Sequence, residues 1–268
     1  MDWPRSIDLT MRFGICTSVE NSAVAKSAGW DFIEENCQSL LQGLLDDAEW
    51  KGAERAARSE LPVFSANVLL PGSLKVTGPD FDEDALAKYL QRVAERAKTI
   101  GIKTIVFGSG GSRNVPDGFA RSQAKAQLAD FCTALAVIGA GSGIMFVIEP
   151  LRRQECNIIN TVGEAMPYVL AINRSSLQCL VDTYHLWSEN ESLDHVRDAM
   201  PWIKHVHLAD LDGRVAPGLS GTSDYRPIFR ILKNAKYEGL ISVEASQFDI
   251  TNHGERVLAF VKREWENA

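Results

Sequence analysis

No two of the five cysteines stand in a CxxC spacing. Cys16, Cys37, Cys132, Cys156 and Cys179 are scattered and odd in number. That argues against a disulfide framework or a structural zinc and suits a reducing cytosol. There is no Lys/Arg run, and the formal net charge is -7. A nucleic-acid surface needs a basic face, so no nucleic-acid partner is expected. The opening stretch MDWPRSIDLTMRFG lacks an apolar segment long enough for a signal peptide or a membrane span. A cytoplasmic protein without a membrane partner is the expectation. No GxGxxG follows the first strand candidate, which removes the main support for dinucleotide binding. No low-complexity segment or linker divides the chain.

What is there is alternation. Strand-like runs occupy residues 12–15, 32–35, 63–66, 104–107, 145–149, 177–182, 203–208 and 240–244. Helix-like stretches lie between them. Residues 85–100 carry Leu86, Tyr89, Leu90, Val93, Ala94 and Ala97 in a 3.6-residue rhythm. Residues 119–138 and 161–171 read the same way. Thr161 and Glu164 have the spacing of a capping box. Gly29, Gly101 and Gly239 precede strands, where helix-ending glycines are expected. Several strand candidates are continuous apolar runs, as buried parallel strands are. Eight such units in 268 residues predict one α/β domain over residues 1–268, a single eightfold (β/α) TIM barrel.

Four of the apolar runs, IMFVIE, LQCLVD, WIKHVH and LISVE, close on a ligand-type side chain. These are Glu149, Asp182, His207 and Glu244, separated by 33, 25 and 37 residues. Each separation is about one strand-plus-helix unit. Catalytic residues of such barrels sit at the C-terminal ends of the strands, so the four converge. A lone carboxylate there is ordinarily a loop charge; four together on consecutive strands are not. Three carboxylates and an imidazole suit one hard or borderline divalent cation. His205 shares a face with His207 and reads as a hydrogen-bonded core histidine one layer deeper. His195 and His253 read as exposed.

The chemistry follows from the same parts. A proton beside a carbonyl is hard to remove because the enediolate is unstable. A bound cation can stabilise that charge. Glu149 and Glu244, three strands apart, can then exchange the proton from opposite faces.

The segments VIEPLRRQECN, LVDTYHLW, KHVHLAD and ISVEAS, with GWDFIEEN and FGSGGSRNVPDGF, resemble the signature segments of xylose-isomerase-like barrels. The resemblance is strongest to ketose 3-epimerases and hydroxypyruvate-isomerase-like sugar isomerases. It covers nearly the whole chain. It implies a metal-dependent sugar epimerase or isomerase, with Glu149, Asp182, His207 and Glu244 holding the ion. The ion is usually manganese, sometimes magnesium or cobalt. It implies Glu149 and Glu244 as the acid/base pair, and Glu155, His185 and Arg214 as holders of substrate oxygens. Relatives of this kind are often dimers or tetramers, so a homodimer or homotetramer is implied.

Read by themselves, the surrounding residues leave alternatives open. Glu155 is equally a solvated loop charge. His185 is equally a support for a ligand. Arg214 could pair with Asp210 or Asp212. Arg152 and Arg153 flank the first ligand and fit salt bridges more readily than an acidic substrate. Glu35 is expected to face the barrel mouth, with Asn67 similar. Ser109–Arg113 reads as a turn or an anion nest. Trp187 either stacks on a sugar or packs under a loop. Among competing functions, a dehydratase of a cyclic polyol ketone or of dehydroshikimate would use the same parts. An apurinic endonuclease on this barrel needs additional zinc-binding histidines, which FSANV and VFGSG do not supply. A non-catalytic sugar-binding barrel leaves the clustered carboxylates without a reason.

Overall fold

The computed structural model describes residues 11–268. Residues 1–10, most of the stretch read above for the lack of a leader, lie outside the described residues. The eight strands are β1 (Phe13–Cys16), β2 (Phe32–Asn36), β3 (Val63–Asn67), β4 (Thr104–Phe107), β5 (Met145–Ile148), β6 (Leu177–Asp182), β7 (Ile203–Leu208) and β8 (Leu240–Val243). They close into a parallel barrel in sequence order, with β1 paired to β8. The predicted eightfold barrel is therefore the observed fold.

The strands are buried on both faces, which is why they read as apolar runs. Their outward side chains join the helices in the main core. A smaller cluster of Val106, Val147 and Leu180, with Met145 against it, lies apart from that core. In β2 the burial pattern is unbroken from Phe32 to Glu35.

Local chemistry places the helices. Asp82 caps the helix Glu83–Ile100 by accepting from the Ala85 N–H at 3.0 Å. Gly101 ends it at φ 97°, a conformation that costs glycine nothing. Thr161 caps Val162–Ile172 through the Glu164 N–H at 3.1 Å. The expected capping box is only half made: the Glu164 carboxylate accepts from the Asn160 N–H, at 2.7 Å, instead of from Thr161. The helix expected to stop near residue 138 runs on as Arg121–Ser142 and ends at Gly143, which takes the left-handed conformation. Gly239 ends no helix. The preceding helix, Arg226–Asn234, stops earlier, and a Cβ at Gly239 would collide with the Tyr237 ring and the Lys204 carbonyl.

Candidate active site

Asp182 is the last residue of β6 and also the N-cap of the short helix Thr183–Ser188. Its Oδ1 accepts from the N–H groups of Tyr184 at 2.6 Å and His185 at 3.3 Å. Its Oδ2 is buried and has no hydrogen-bond partner among the described residues. One oxygen is thus spent on the helix terminus and the other is left for the site.

Glu149 and Glu244 follow the last residues of β5 and β8. Their N–H groups continue the ladder, to the Phe107 carbonyl at 3.2 Å and the Leu208 carbonyl at 3.0 Å. His207 lies on β7 in register with Asp182 and Ser242. Its Nδ1 is 3.1 Å from Glu149 Oε1 and 3.4 Å from Glu244 Oε2. One ligand atom from each of Glu149, Asp182, His207 and Glu244 lies within 4.8 Å of all the others. The four strand-end residues singled out in the sequence are brought together.

Burial sets the electrostatics. It raises the Glu149 carboxyl above its ordinary value, and Glu244 adds to the rise. It raises Asp182 to about 6, with Arg214 opposing and Glu244 reinforcing. Burial also disfavours ionised Glu244, but His207 and Arg214 outweigh it and bring that group down to about 2. For His207, burial is opposed by Glu34 and Glu244, which hold the imidazole well above its usual range. Three clustered carboxylates, two of which resist ionisation and one of which keeps an oxygen without a hydrogen bond among the described residues, fit a centre that takes a cation.

The remaining predicted residues form one rim. Arg214 reaches Glu244 at 2.6 Å, Asp182 at 3.5 Å and Glu155 at 3.9 Å. It does not pair with Asp210 or Asp212. Asp210 instead binds the Gly218 and Ser220 N–H groups and the Ser220 and Tyr225 hydroxyls, pinning the loop that carries Arg214. Glu155 pairs with Arg152 at 2.7 Å. Arg153 is ion-paired to Glu189. His185 accepts from the Arg152 N–H through Nδ1 at 3.2 Å. Its Nε2 is buried, without a hydrogen bond among the described residues, and 3.9 Å from Asp182 Oδ2. Asn67 donates to Glu244 Oε1 at 2.6 Å.

The expectation for Glu35 is corrected, and the open alternatives close. Glu35 does not face the mouth. It points the other way from Glu34 and accepts from the Val19 N–H at 2.6 Å. Trp187 packs edge-on against Tyr225. Ser109–Arg113 is structural: Gly110–Arg113 forms one short helical turn, Ser109 accepts from the Leu70 N–H, and fully buried Arg113 donates to the carbonyls of Phe107, Glu149 and Ile159. His195 is exposed, as expected, but His253 is half-buried.

Three contributors escaped the sequence reading. Glu34, fully buried, contacts both His205 and His207. Its parity in β2 was unreadable because both faces of that strand are buried. Cys16 ends β1 beside His207 and Glu244. Gly108 packs against the Glu149 carboxylate so closely that a Cβ there would collide with it.

Comparison with known proteins adds relatives to this geometry. A family model described as "Xylose isomerase-like TIM barrel" matches residues 22–260. A 3-dehydro-D-guloside 4-epimerase of Escherichia coli is 30% identical over 59% of this chain and 62% of its own length. The match thus spans about three fifths of that relative. A D-psicose 3-epimerase of Agrobacterium fabrum is 24% identical over 81% of this chain and 75% of its own. In structure, a D-allulose 3-epimerase from Methylomonas sp., in complex with D-allulose, superposes with a TM-score of 0.79 at 22% identity. That match covers 95% of this chain and 97% of that one, a likeness of fold.

Proposed function

The chain belongs to the xylose isomerase-like TIM barrel family, and from that membership and the site we propose that it is a divalent-metal-dependent sugar epimerase or isomerase. The observation that carries the proposal is the convergence of Glu149, Asp182, His207 and Glu244 within 4.8 Å, with one Asp182 oxygen buried and, among the described residues, without a hydrogen bond. The names of the relatives, epimerases of sugars, supply the substrate class.

A divalent cation held by these four residues, manganese by preference and magnesium or cobalt as alternatives, supplies Lewis-acid stabilisation of the charge that develops on the sugar's oxygens. The chain's own residues do the rest. Glu149 and Glu244 flank His207 from different strands and serve as the acid/base pair. Burial favours a proton on metal-free Glu149. Glu244, kept ionised by His207 and Arg214, accepts a hydrogen bond from Asn67, which fixes its direction. The free Nε2–H of His185 is a donor for a sugar oxygen. Glu155 and Arg214 hold further hydroxyls at the rim.

The test is an assay of the purified chain on unphosphorylated ketoses, D-fructose and D-allulose among them. It is run after chelation and again after manganese is added. Loss on chelation and recovery with manganese is the expected result. Full turnover in metal-free protein would end the proposal.

A further inference from the structure

Beneath the four strand-end residues lies a buried polar network that the sugar chemistry does not itself require. Glu34, on β2, reaches across the barrel interior to β7. Its Oε2 accepts from His205 Nε2 at 2.6 Å, from the Ser242 hydroxyl at 2.7 Å and from the Ser65 hydroxyl at 2.8 Å. Its Oε1 accepts from His207 Nε2 at 2.8 Å. Glu34, His205, His207, Ser65 and Ser242 are all fully buried. The β2–β3 register shifts between Ile33 and Glu34, so that Glu34 stands beside Ser65.

A carboxylate that accepts four hydrogen bonds has no proton to give. Each imidazole must therefore present Nε2–H to it. The consequence for His207 is directional. With the Nε2 hydrogen committed to Glu34, Nδ1 is the nitrogen left to face Glu149 and Glu244, 3.1 Å and 3.4 Å away. We propose that Glu34 is a positioning residue of the centre: it holds the Nε2–H of His207, so that Nδ1 is the nitrogen that gives up its proton and is offered to the cation. Ligating histidines depend on such a partner to fix ring orientation and raise basicity. A second cation bound between Glu34 and the two histidines is the other use of these groups. The four donors at hydrogen-bonding distance already satisfy the carboxylate and leave that use without a vacancy.

His205 has a defined part in this arrangement. It takes the other oxygen of Glu34, and its edge-to-face contact with His207, with ring centroids 4.8 Å apart, keeps both rings from turning.

The inference rests on reading the centre as a metal site, and its test separates the two. Manganese binding is titrated calorimetrically into the full chain and into Glu34→Gln. Gln keeps the size but turns an N–H2 toward one imidazole N–H. Manganese affinity should fall about 10–100-fold, the usual effect of losing such a partner, with far-UV circular dichroism unchanged. Long-range 1H–15N spectra of the wild-type chain loaded with diamagnetic zinc read the tautomer directly. His207 should keep its hydrogen on Nε2 and bind through Nδ1. If Glu34→Gln does not fold, this wild-type spectrum decides alone. A folded Glu34→Gln with wild-type manganese affinity, or a His207 that binds through Nε2, overturns the role of Glu34 and leaves the metal centre standing. A wild-type chain that takes up no manganese overturns the metal reading itself.

Discussion

Asp182 divides its two oxygens between a helix N-terminus and the candidate metal centre, and that division is the kind of detail that decides affinity. Gly108 works on the same scale. It has room for no side chain because the Glu149 carboxylate occupies the space. Gly108→Ala adds one methyl to a filled site, where overpacking costs about 1–3 kcal/mol. Manganese affinity should fall about tenfold or more while the fold is kept; calorimetry that finds no change would show that Glu149 does not need its present position. A second residue-scale prediction concerns pH. Burial holds Asp182 up to about 6 and raises Glu149, and a protonated carboxyl is a poor ligand. Manganese binding should therefore strengthen as pH rises from 5 to 7, by about tenfold for Asp182 alone. The metal-free fold responds in the opposite sense. The folded value for Asp182 lies above the unfolded one, so its protonation favours the folded state, and that contribution is lost as pH rises from about 4 through about 6. Affinity that is flat or falling from pH 5 to 7 would contradict this account. The four strand-end residues were legible in the sequence because ligand-type side chains closing apolar runs stand out. Glu34 was not, since it stands next to Glu35 in a strand buried on both faces, where only parity tells the two apart.

Elements are held by charged side chains used as struts. Arg96, on the helix Glu83–Ile100, is 3% exposed. It donates to the carbonyls of Leu41, Gln42 and Leu45, pairs with Asp47 at 2.7 Å and lies over the Trp50 ring. It thereby ties down the connection that follows β2. Arg96→Met keeps much of the stem but leaves those carbonyls without their donor, so stability should fall by about 1–3 kcal/mol. Urea unfolding would show it, and an unchanged midpoint would assign the loop's order to its own packing. The elements themselves were legible because the helical rhythm of residues 85–100 and the apolar runs are strong signals. Their ends were less so. The helix expected over residues 119–138 passes through Gly139 and Gly141 and ends at Gly143, which takes the left-handed conformation; a glycine permits a stop but does not by itself impose one. Ser109–Arg113 stays open between a turn and an anion nest in the sequence because its glycines are visible there, whereas the carbonyls that bind Arg113 belong to residues near and far along the chain.

At the scale of the molecule, the closed barrel is what turns residues 25 to 37 positions apart into neighbours. Closure depends on the pairing of β1 with β8, which no local pattern reveals; eight regular units made it the best expectation. Among the described residues no helix is long and apolar enough to cross a membrane. The proposed chemistry is the movement of a proton at a carbon beside a sugar carbonyl. The most direct measurement is NMR of a free ketose incubated with the manganese-loaded chain in deuterated water. The expected result is epimer or isomer whose new stereocentre or new C–H carries solvent deuterium, with deuterium at that carbon also in recovered substrate. Product that keeps its original hydrogen at every carbon would contradict it.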